Sequence, residues 1–450
     1  MLDAAGDRAI LTVIGTGYLG TTHAVCMAEL GFRVLGVDID AEKIARLSAG
    51  QLWMYEPDLE QRLRRNVANG RLEFTTSYDA AAELGDVHFL CVGTPQQAGG
   101  HAADLSAVDG AIEALAPRLR RSCLVVGKST VPVGTADRLA RRVAALAPVG
   151  EDAELAWNPE FLREGFAVED TLCPDRLVAG VRSERAEKTL REIYAPLIAD
   201  GVPFLVTDYQ TAELVKIAAN SFLATKISFI NAMSEVCEAA NADVELLAAA
   251  LALDGRIGAA YLGPGIGFGG SCLPKDIRAF LARAEELGVG RAVTFLREVD
   301  AINTRQRARL VAVARTVLGG SLRGRAVGVL GAAFKPNSDD VRDSPALAVA
   351  AAIHAQGGRV TVYDPIALDN ARAAHPELGY RDTVDDAARG ADALLLLTEW
   401  PQFGALDPEP LGEVVARRNV IDGRNALDPE RWRAAGWRYS ALGRTCTDAR

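Results

Sequence analysis

The sequence has little of what marks secreted, membrane-bound or metal-binding proteins. Its seven cysteines are scattered over 450 residues, their number is odd, and they form neither a CxxC pair nor a Cys/His cluster. A disulfide framework and a zinc site are therefore not expected. No apolar run approaches ~20 residues, and the N-terminus lacks a basic segment followed by an apolar one, so we expect neither a membrane span nor a signal peptide. A reducing cytoplasm is the expected compartment.

The charge balance argues against a nucleic-acid partner. The chain has 49 basic and 59 acidic residues, a net charge of -10, and no long basic run, whereas nucleic-acid-binding surfaces are basic. The length of 450 residues predicts two or three domains with ample material for buried cores.

The N-terminal segment has the pattern of a dinucleotide-binding turn. A buried strand at residues 9–14 leads into GTGYLG (residues 15–20), and a helical pattern follows from Thr21. In this order Gly15 makes the tight turn, Gly17 lets the backbone approach a pyrophosphate, and Gly20 allows close packing of helix on strand. The sequence therefore predicts a dinucleotide site here.

Asp38 completes that pattern at the end of a second strand, residues 33–37. A carboxylate there accepts hydrogen bonds from the adenosine ribose and repels a 2′-phosphate, which favours NAD over NADP. The alternative for Asp38 is a helix cap or a turn residue. Thr94 and Thr130 follow two further strands and are candidate ligand contacts, because ligands of such sheets bind at the carboxyl ends of strands. Each could instead be a turn hydroxyl.

Two carboxylates and a lysine follow in the middle of the chain. Glu160 and Glu164 come just after a strand at residues 154–157, where they could hold a water or a ligand hydroxyl, or simply be solvated. Residues 211–240 predict one long helix that offers a face to a second subunit. Lys216 and Asn220 lie on one otherwise apolar stripe and need polar partners, unless the lysine snorkels to solvent.

The glycine-rich segment before Cys272 predicts a nucleophile presented by a loop. Four glycines within residues 265–270 let the backbone approach a ligand, and a helical pattern starts near Cys272. A helix N-terminus favours a thiolate, and Asp276 lies one turn further on the same face. The alternative is a glycine turn beside a small buried cysteine. Upstream, Arg256 could bind a phosphate or pair with a surface acid.

The last third repeats the alternation of strands and helices. Strands at 325–330 and 359–363 enclose a helix at 344–356, but the turn at 331–336 lacks GxGxxG and suits a mononucleotide or sugar nucleotide better than a second NAD. Lys335, Arg342 and Arg424 lie at or beyond strand ends, where they could meet phosphates or be solvated charges. We predict an α/β fold with two Rossmann-like doubly wound domains, at 1–207 and 316–450. A helical domain at 208–315 joins them and carries the long central helix and the cysteine loop.

Together these motifs resemble the UDP-glucose 6-dehydrogenase group of the UDP-glucose/GDP-mannose dehydrogenase family, from Val13 to about Asp428. The matching segments are 15–20, 128–132 (KSTVP), 158–165 (NPEFLREG), 212–231 and 267–276. The resemblance implies NAD-dependent oxidation of UDP-glucose to UDP-glucuronate with two NAD and one water. It also implies a cytoplasmic homodimer or higher oligomer that supplies polysaccharide biosynthesis. A dehydrogenase of GDP-mannose or another nucleotide sugar, and a sugar-nucleotide-binding protein without turnover, are the alternatives.

The resemblance implies a covalent route through Cys272. This thiol would capture the C6 aldehyde as a thiohemiacetal, and a second hydride transfer would leave a thioester. Lys216 and Asn220 would stabilise the oxyanion at C6, and Asp276 with a water and Lys216 would take the first proton. Glu160 would activate the water that hydrolyses the thioester.

The same resemblance assigns the binding residues and implies no metal ligand. Thr130 would hold the hydrolytic water, and Arg256 would reach the substrate of a neighbouring subunit. The cofactor set is Gly15, Gly17, Tyr18, Leu19, Gly20, Asp38, Lys43, Thr94, Thr130, Glu164 and Arg342. The substrate set is Glu160, Phe161, Leu162, Lys216, Asn220, Arg256, Tyr261, Gly265, Gly269, Phe334, Lys335 and Arg424.

Overall fold

The described chain forms two compact units. The computed structural model describes residues 8–444; Cys446 and the first seven residues lie outside this range. One unit comprises Met1–Ala219 with Arg278–Leu287, and the other comprises Asn220–Ile277 with Gly288–Arg450. The division into three domains at 207 and 315 stays a prediction.

The first unit is built on an eight-stranded sheet in the order β3-β2-β1-β4-β5-β6-β7-β8. Strands β1 to β6 are parallel, and β7 pairs with β6 antiparallel through Trp157 and Gly180. The strands are β1 (Leu11–Ile14), β2 (Val34–Val37), β3 (Leu72–Thr75), β4 (Val87–Leu90), β5 (Cys123–Gly127), β6 (Ala153–Trp157), β7 (Leu177–Gly180) and β8 (Phe204–Thr207). The first six follow the order 3-2-1-4-5-6 of a dinucleotide-binding sheet, so the turns after β1 and β4 lie at its switch point.

Helices cover both faces of this sheet, so its central strands are buried along their whole length. They are α1 (Tyr18–Glu29), α2 (Ala41–Ser48), α3 (Leu59–Ala68), α4 (Tyr78–Leu84), α5 (Ser106–Leu115), α6 (Thr135–Leu146), α7 (Ala167–Leu172), α8 (Glu184–Ile193) and α9 (Ala195–Ala199). Short 3₁₀ turns at Ala116–Arg118 and Gly150–Asp152 complete the unit. Two separate apolar clusters, one on each face, form its core. Helix α1 begins at Tyr18, earlier than the predicted Thr21, because the last residues of the glycine turn are already helical.

Four helices follow in the chain, and two of them contribute residues to both units. They are α10 (Tyr209–Ala240), α11 (Val244–Ala252), α12 (Leu273–Glu286) and α13 (Phe295–Val317), with a 3₁₀ turn at Gly290–Val293. The long central helix is confirmed: α10 has 32 residues, about 48 Å at 1.5 Å per residue. It begins two residues before the predicted Thr211.

The second unit contains a six-stranded parallel sheet in the order β11-β10-β9-β12-β13-β14. Its strands are β9 (Ala326–Leu330), β10 (Arg359–Tyr363), β11 (Gly379–Tyr380), β12 (Ala393–Leu396), β13 (Asn419–Asp422) and β14 (Arg438–Ala441). Its helices are α14 (Pro345–Ala355), α15 (Leu368–Ala374), α16 (Val384–Ala388), α17 (Pro401–Gly404), α18 (Pro408–Val414) and α19 (Pro429–Ala434). The order is again 3-2-1-4-5-6, which confirms the prediction of a second Rossmann-like fold. Between residues 8 and 444, no helix is long and apolar enough to cross a membrane.

Candidate active site

The glycine turn after β1 leaves an open space at one position and close packing at two others. A Cβ on Gly15, at φ +90, would lie 2.8 Å from Val92 Cγ1, and a Cβ on Gly20 would lie 1.8 Å from the Gly15 carbonyl oxygen. Gly17 precedes the first residue of α1, and no heavy atom lies within 4 Å of the position of its Cβ. This open backbone at a helix N-terminus fits the pyrophosphate of a dinucleotide.

Asp38 is held as a carboxylate beside that turn. Its Oδ2 accepts hydrogen bonds from the Thr16 N–H (2.8 Å) and hydroxyl (2.9 Å), and Lys43 Nζ lies at 3.2 Å. Partial burial favours the neutral acid, but hydrogen bonds from Asp40 and Thr16 and the charge of Lys43 hold the pKa of Asp38 below its usual value. Asp40, not Asp38, caps α2, so the cap alternative for Asp38 is wrong. Asp38 does accept the Asp40 N–H at 3.1 Å, as a turn residue would.

We expect Asp38→Asn to weaken the preference for NAD over NADP by about tenfold or more, because it removes the charge that repels a 2′-phosphate. The measurement is the ratio of kcat/KM for the two cofactors. Asp40→Ala is the matched control: loss of the α2 cap costs about 1 kcal/mol of stability and leaves the ratio unchanged. An unchanged ratio in Asp38→Asn would contradict the assignment.

A buried glutamate that the sequence reasoning missed links the glycine turn to the loop of Glu160 and Glu164. Glu56 accepts the hydroxyl of Tyr18 and the backbone N–H groups of Gly165 (2.6 Å) and Ala167 (2.7 Å). Burial raises the pKa of Glu56 in spite of these bonds, and burial together with Glu56 raises the pKa of Tyr18. The buried Glu164 lies in the segment that Glu56 fixes.

Lys216 and Glu160 form a nearly buried ion pair. Lys216 Nζ lies 2.8 Å from Glu160 Oε1, and the two side chains are 5% and 13% exposed. The second carboxylate oxygen of Glu160 accepts the Leu162 N–H at 2.8 Å. The ring of Phe161 lies 5.8 Å from Lys216 Nζ. The snorkelling alternative for Lys216 is therefore wrong, as is the solvated alternative for Glu160.

The turns after β4 and β5 are joined by the two predicted threonines. Thr94 donates its hydroxyl to the Thr130 carbonyl oxygen at 2.7 Å, and Thr130 is half-buried. A second missed carboxylate, Glu213, accepts the N–H groups of Gly134 and Ala136 at 2.7 Å each. It lies three residues before Lys216 on α10, so one helix supports both the Thr130 turn and the carboxylate loop.

In the second unit, Cys272 is exposed immediately before the first residue of α12. Its carbonyl oxygen accepts the Asp276 N–H at 2.9 Å, and its Sγ lies 3.5 Å from the Ser271 hydroxyl. The buried-cysteine alternative is wrong. Asp276 is buried, and its carboxylate accepts from Asn220 Nδ2 at 2.7 Å and from Lys275 Nζ at 2.5 Å. Asn220 and Asp276, which the sequence analysis named as separate site residues, are thus bonded to each other one turn below the thiol.

The glycines before Cys272 allow close approach of protein atoms. A Cβ on Gly267, at φ +91, would lie 2.3 Å from Asn303 Oδ1, and one on Gly269 would lie 2.2 Å from the Asp343 carbonyl oxygen. Asn303 accepts the Phe268 N–H at 2.7 Å and donates to its carbonyl oxygen at 2.9 Å. Asn303, which the sequence reasoning also missed, therefore fixes the loop that presents the thiol.

Arg424 serves the same loop. It donates to the carbonyl oxygens of Gly267 (2.9 Å), Leu397 (2.9 Å) and Phe334 (3.2 Å), and pairs with Glu399 at 3.1 Å. Its guanidinium thus lies where the β9 turn and the cysteine loop meet. The remaining predicted substrate residues of this unit are Arg256, Tyr261, Gly265, Phe334 and Lys335.

The turn after β9 differs from the turn after β1, because its backbone N–H groups are bonded to a buried side chain. Asp364, at the end of β10, is fully buried and accepts the N–H groups of Ala332 (2.7 Å) and Ala333 (3.0 Å) and Trp400 Nε1 (3.2 Å). A buried aspartate with these partners is not presented to a ribose, unlike Asp38.

Two predicted arginines pair with local acids. Arg256, whose side chain is 90% exposed, lies 2.6 Å from Asp254, and Arg342 lies 2.7 Å from Asp340. The surface-acid alternative for Arg256 is therefore observed. Neither pair excludes a ligand, because each arginine has donors beyond those its acid accepts.

The open glycine turn and the ionised aspartate at the end of β2 define a dinucleotide-binding protein, and the second unit separately presents an exposed thiol at the start of a helix. Three models of the UDP-glucose/GDP-mannose dehydrogenase family match the chain. The NAD binding domain model matches residues 9–198, the central domain model 210–305 and the UDP binding domain model 328–429. The chain belongs to the UDP-glucose/GDP-mannose dehydrogenase family.

Two curated relatives and a solved structure are similar to this protein over nearly the whole length of its chain. The UDP-glucose 6-dehydrogenase YwqF of Bacillus subtilis (strain 168) is 40% identical over 435 residues, 96% of this chain and 97% of the relative. That of Rhizobium meliloti (strain 1021) is 41% identical over 436 residues, 96% and 99% of the two chains. The UDP-glucose dehydrogenase structure from the archaeon Pyrobaculum islandicum has a TM-score of 0.90 and 39% identity, covering 99% of this chain and 100% of that one.

Proposed function

We propose that the protein oxidises UDP-glucose to UDP-glucuronate with two NAD and one water. The observation that carries this is the exposed Cys272 at the start of α12, in a chain about 40% identical from end to end to UDP-glucose 6-dehydrogenases. The free state of the six described cysteines supports a reducing, cytoplasmic compartment.

The two oxidations are linked by a bond to Cys272. The C6 alcohol loses a hydride and a proton to become an aldehyde, to which the thiolate adds as a thiohemiacetal. Loss of a second hydride, together with the proton of the thiohemiacetal hydroxyl, gives a thioester, so the reactive aldehyde is never released. The Gly17 turn and Asp38 would hold NAD, which would supply the hydride acceptor for both oxidations. Water then cleaves the thioester to the carboxylate and restores the thiol.

The polar pairs divide the proton transfers between them. Lys216 and Asn220 stabilise negative charge on the C6 oxygen, and Asp276 with Lys216 takes the first proton through a water. Glu160 acts as the base for the hydrolytic water, which Thr130 holds. The Lys216–Glu160 pair at 2.8 Å supports a proton route between the oxyanion group and the hydrolytic base.

Cofactor and substrate contacts are proposed for the remaining residues. Near the cofactor we place Gly15, Tyr18, Leu19, Gly20, Lys43, Thr94, Glu164 and Arg342. Near the substrate we place Phe161, Leu162, Arg256, Tyr261, Gly265, Gly269, Phe334, Lys335 and Arg424.

A second copy of the chain is the proposed partner of α10. Phe222, Phe229 and Val236 recur every seven residues on one face of the helix and are 67%, 49% and 56% exposed. Large apolar side chains lined up in this way mark an association surface. Arg256, whose side chain is 90% exposed, would then reach the substrate of the other subunit.

We expect Phe229→Glu to dissociate this dimer, raising its Kd by about tenfold or more, because a charge would be buried at the interface. Sedimentation velocity over a concentration series measures the shift. Leu205→Glu, at an equally exposed position (54%) on β8, is the control that should sediment as wild type. A dimer that survives Phe229→Glu unchanged would place the interface elsewhere.

The substrate is tested by NADH formation with limiting UDP-glucose, beside GDP-mannose and UDP-N-acetylmannosamine. We expect about two NADH per UDP-glucose, as the thioester route requires, and much slower turnover of the other two. Faster turnover of another nucleotide sugar would make that sugar the substrate, and the protein a different dehydrogenase of the same family. Tight binding of NAD and UDP-glucose without NADH from any sugar would leave a binding protein.

A further inference from the structure

A lysine lies buried beneath the turns of Thr130 and Glu160. Lys128 follows the last residue of β5 and is 6% exposed. Its Nζ contacts Asn158 Oδ1 at 2.9 Å, the Asn158 carbonyl oxygen at 3.4 Å and the Tyr194 hydroxyl at 3.4 Å. The rings of Phe89 and Tyr194 each lie 5.9 Å from it. Because an ammonium is costly to bury, this position calls for an explanation beyond packing.

The contacts of Lys128 immobilise Asn158. Tyr194 also donates to Asn158 Oδ1 at 2.6 Å, and Asn158 Nδ2 donates to the Val178 carbonyl oxygen at 2.7 Å. The Asn158 N–H is bonded to the Gly127 carbonyl oxygen at 2.8 Å. With its side chain and backbone engaged in this way, Asn158 has little freedom to move.

We propose that Lys128 is a positioning residue for the hydrolytic step: it ties the segment that bears Thr130 to the segment that bears Glu160. Lys128 lies two residues before Thr130, and Asn158 lies two residues before Glu160. The β5–β6 pairing ends at Gly127 and Trp157, and beyond it the ammonium of Lys128 links the two segments through Asn158 Oδ1 and the Asn158 carbonyl oxygen. This inference rests on the proposed function, in which water attacks a thioester.

The charge of Lys128 faces several titratable groups. They are His23 on α1, Cys91 after β4, Tyr194 after α8, Glu160 after β6 and Lys216 on α10. Burial is the largest cause that lowers the pKa of Lys128, to about 8, while Cys91 and Glu160 oppose the shift. Burial and the charge of Lys128 lower the pKa of His23, so the histidine stays neutral at neutral pH. The ammonium is therefore lost as the pH rises through about 8, and its bonds to Asn158 weaken with it.

Lys128→Met and Lys128→Arg test this role. In Lys128→Met we expect thioester hydrolysis to slow by about 10- to 100-fold, because the water and its base lose their fixed separation. Formation of the first NADH should stay within about threefold of wild type. Rapid-quench kinetics gives the two rates, and intact-protein mass spectrometry detects the thioester on Cys272. Thr12→Val is the control: it removes a buried hydrogen bond of the same sheet, between Thr12 and His88 at 2.7 Å, leaves the bonds of Lys128 and Asn158 in place, and should hydrolyse at nearly the wild-type rate.

The pH profile separates positioning from general loss of structure. In wild type we expect hydrolysis to slow above about pH 8, the value at which burial sets the pKa of Lys128. Lys128→Met should lack this alkaline limb, and Lys128→Arg, which stays charged, should shift it upward by about one pH unit or more.

Each outcome decides the matter. Wild-type rates and pH profile in a folded Lys128→Met would overturn the proposal. Where circular dichroism shows Lys128→Met to be unfolded, Lys128→Arg decides alone, and an alkaline limb that does not move rejects the idea. Absence of NADH from wild type with every nucleotide sugar is instead a failure of the proposed function, and the role in hydrolysis falls with it.

Discussion

Cys272→Ser is expected to reduce turnover of UDP-glucose by about 10³-fold or more, because a serine hydroxyl is a far weaker nucleophile than a thiolate at a helix N-terminus. Without the thiohemiacetal the second hydride transfer has no substrate, so NADH should fall below two per UDP-glucose. The measurement is absorbance at 340 nm with limiting UDP-glucose, together with a fluorescence titration of NAD. NAD affinity should be unchanged, since the substitution leaves the Gly17 turn and Asp38 unaltered.

The chain offers a matched control for this change. Cys173 and Cys272 are the two exposed cysteines among residues 8–444, so Cys173→Ser removes a thiol of similar accessibility. It should retain wild-type turnover and yield two NADH per UDP-glucose. Iodoacetamide should inactivate wild type and Cys173→Ser alike. Normal stoichiometry in Cys272→Ser would rule out the covalent route.

The parts of the site that the sequence predicted depend on local patterns. Gly15, Gly17 and Asp38 belong to one strand, turn and strand whose geometry is set by neighbours in the chain. Likewise, Cys272 and Asp276 are separated by one helical turn, so their relation follows from helix periodicity alone. Because the two Rossmann-like folds are built from the same alternation of strands and helices, the fold class could also be predicted.

The parts that were missed depend on contacts between distant segments. Glu56 bonds to Gly165 across 109 residues of chain, and Lys128 bonds to Tyr194 across 66. Nothing near Glu56 in the sequence distinguishes it from a solvated acid, because its burial is decided by loops that pack over it. Asn303 gives no local signal either, although Gly267, which has no room for a side chain beside it, indicates that some group approaches closely.

The glycines before Cys272 show how a correct pattern can have a different physical cause. We expected them to admit a ligand, and the structure places Asn303, Asp343 and Phe334 against Gly267, Gly269 and Gly270. The loop is therefore shaped by its own unit before any substrate binds. Such preorganisation lowers the cost of placing the thiol for attack.

Glu160→Gln is expected to slow thioester hydrolysis by about 10²- to 10³-fold, the usual cost of losing a general base. The amide is similar in shape but cannot take a proton, and it cannot accept hydrogen bonds from both Lys216 and the Leu162 N–H, which the carboxylate does at 2.8 Å each. Both hydride transfers precede this step, so a single turnover should release about two NADH per site and then stop. Intact-protein mass spectrometry should find the glucuronyl adduct on Cys272.

Glu169→Gln, an exposed acid on the nearby α7, is the control that should turn over normally. Slow turnover without an adduct would mean that Glu160 acts in a step before the thioester forms, through its ion pair with Lys216. Another residue would then have to be the hydrolytic base.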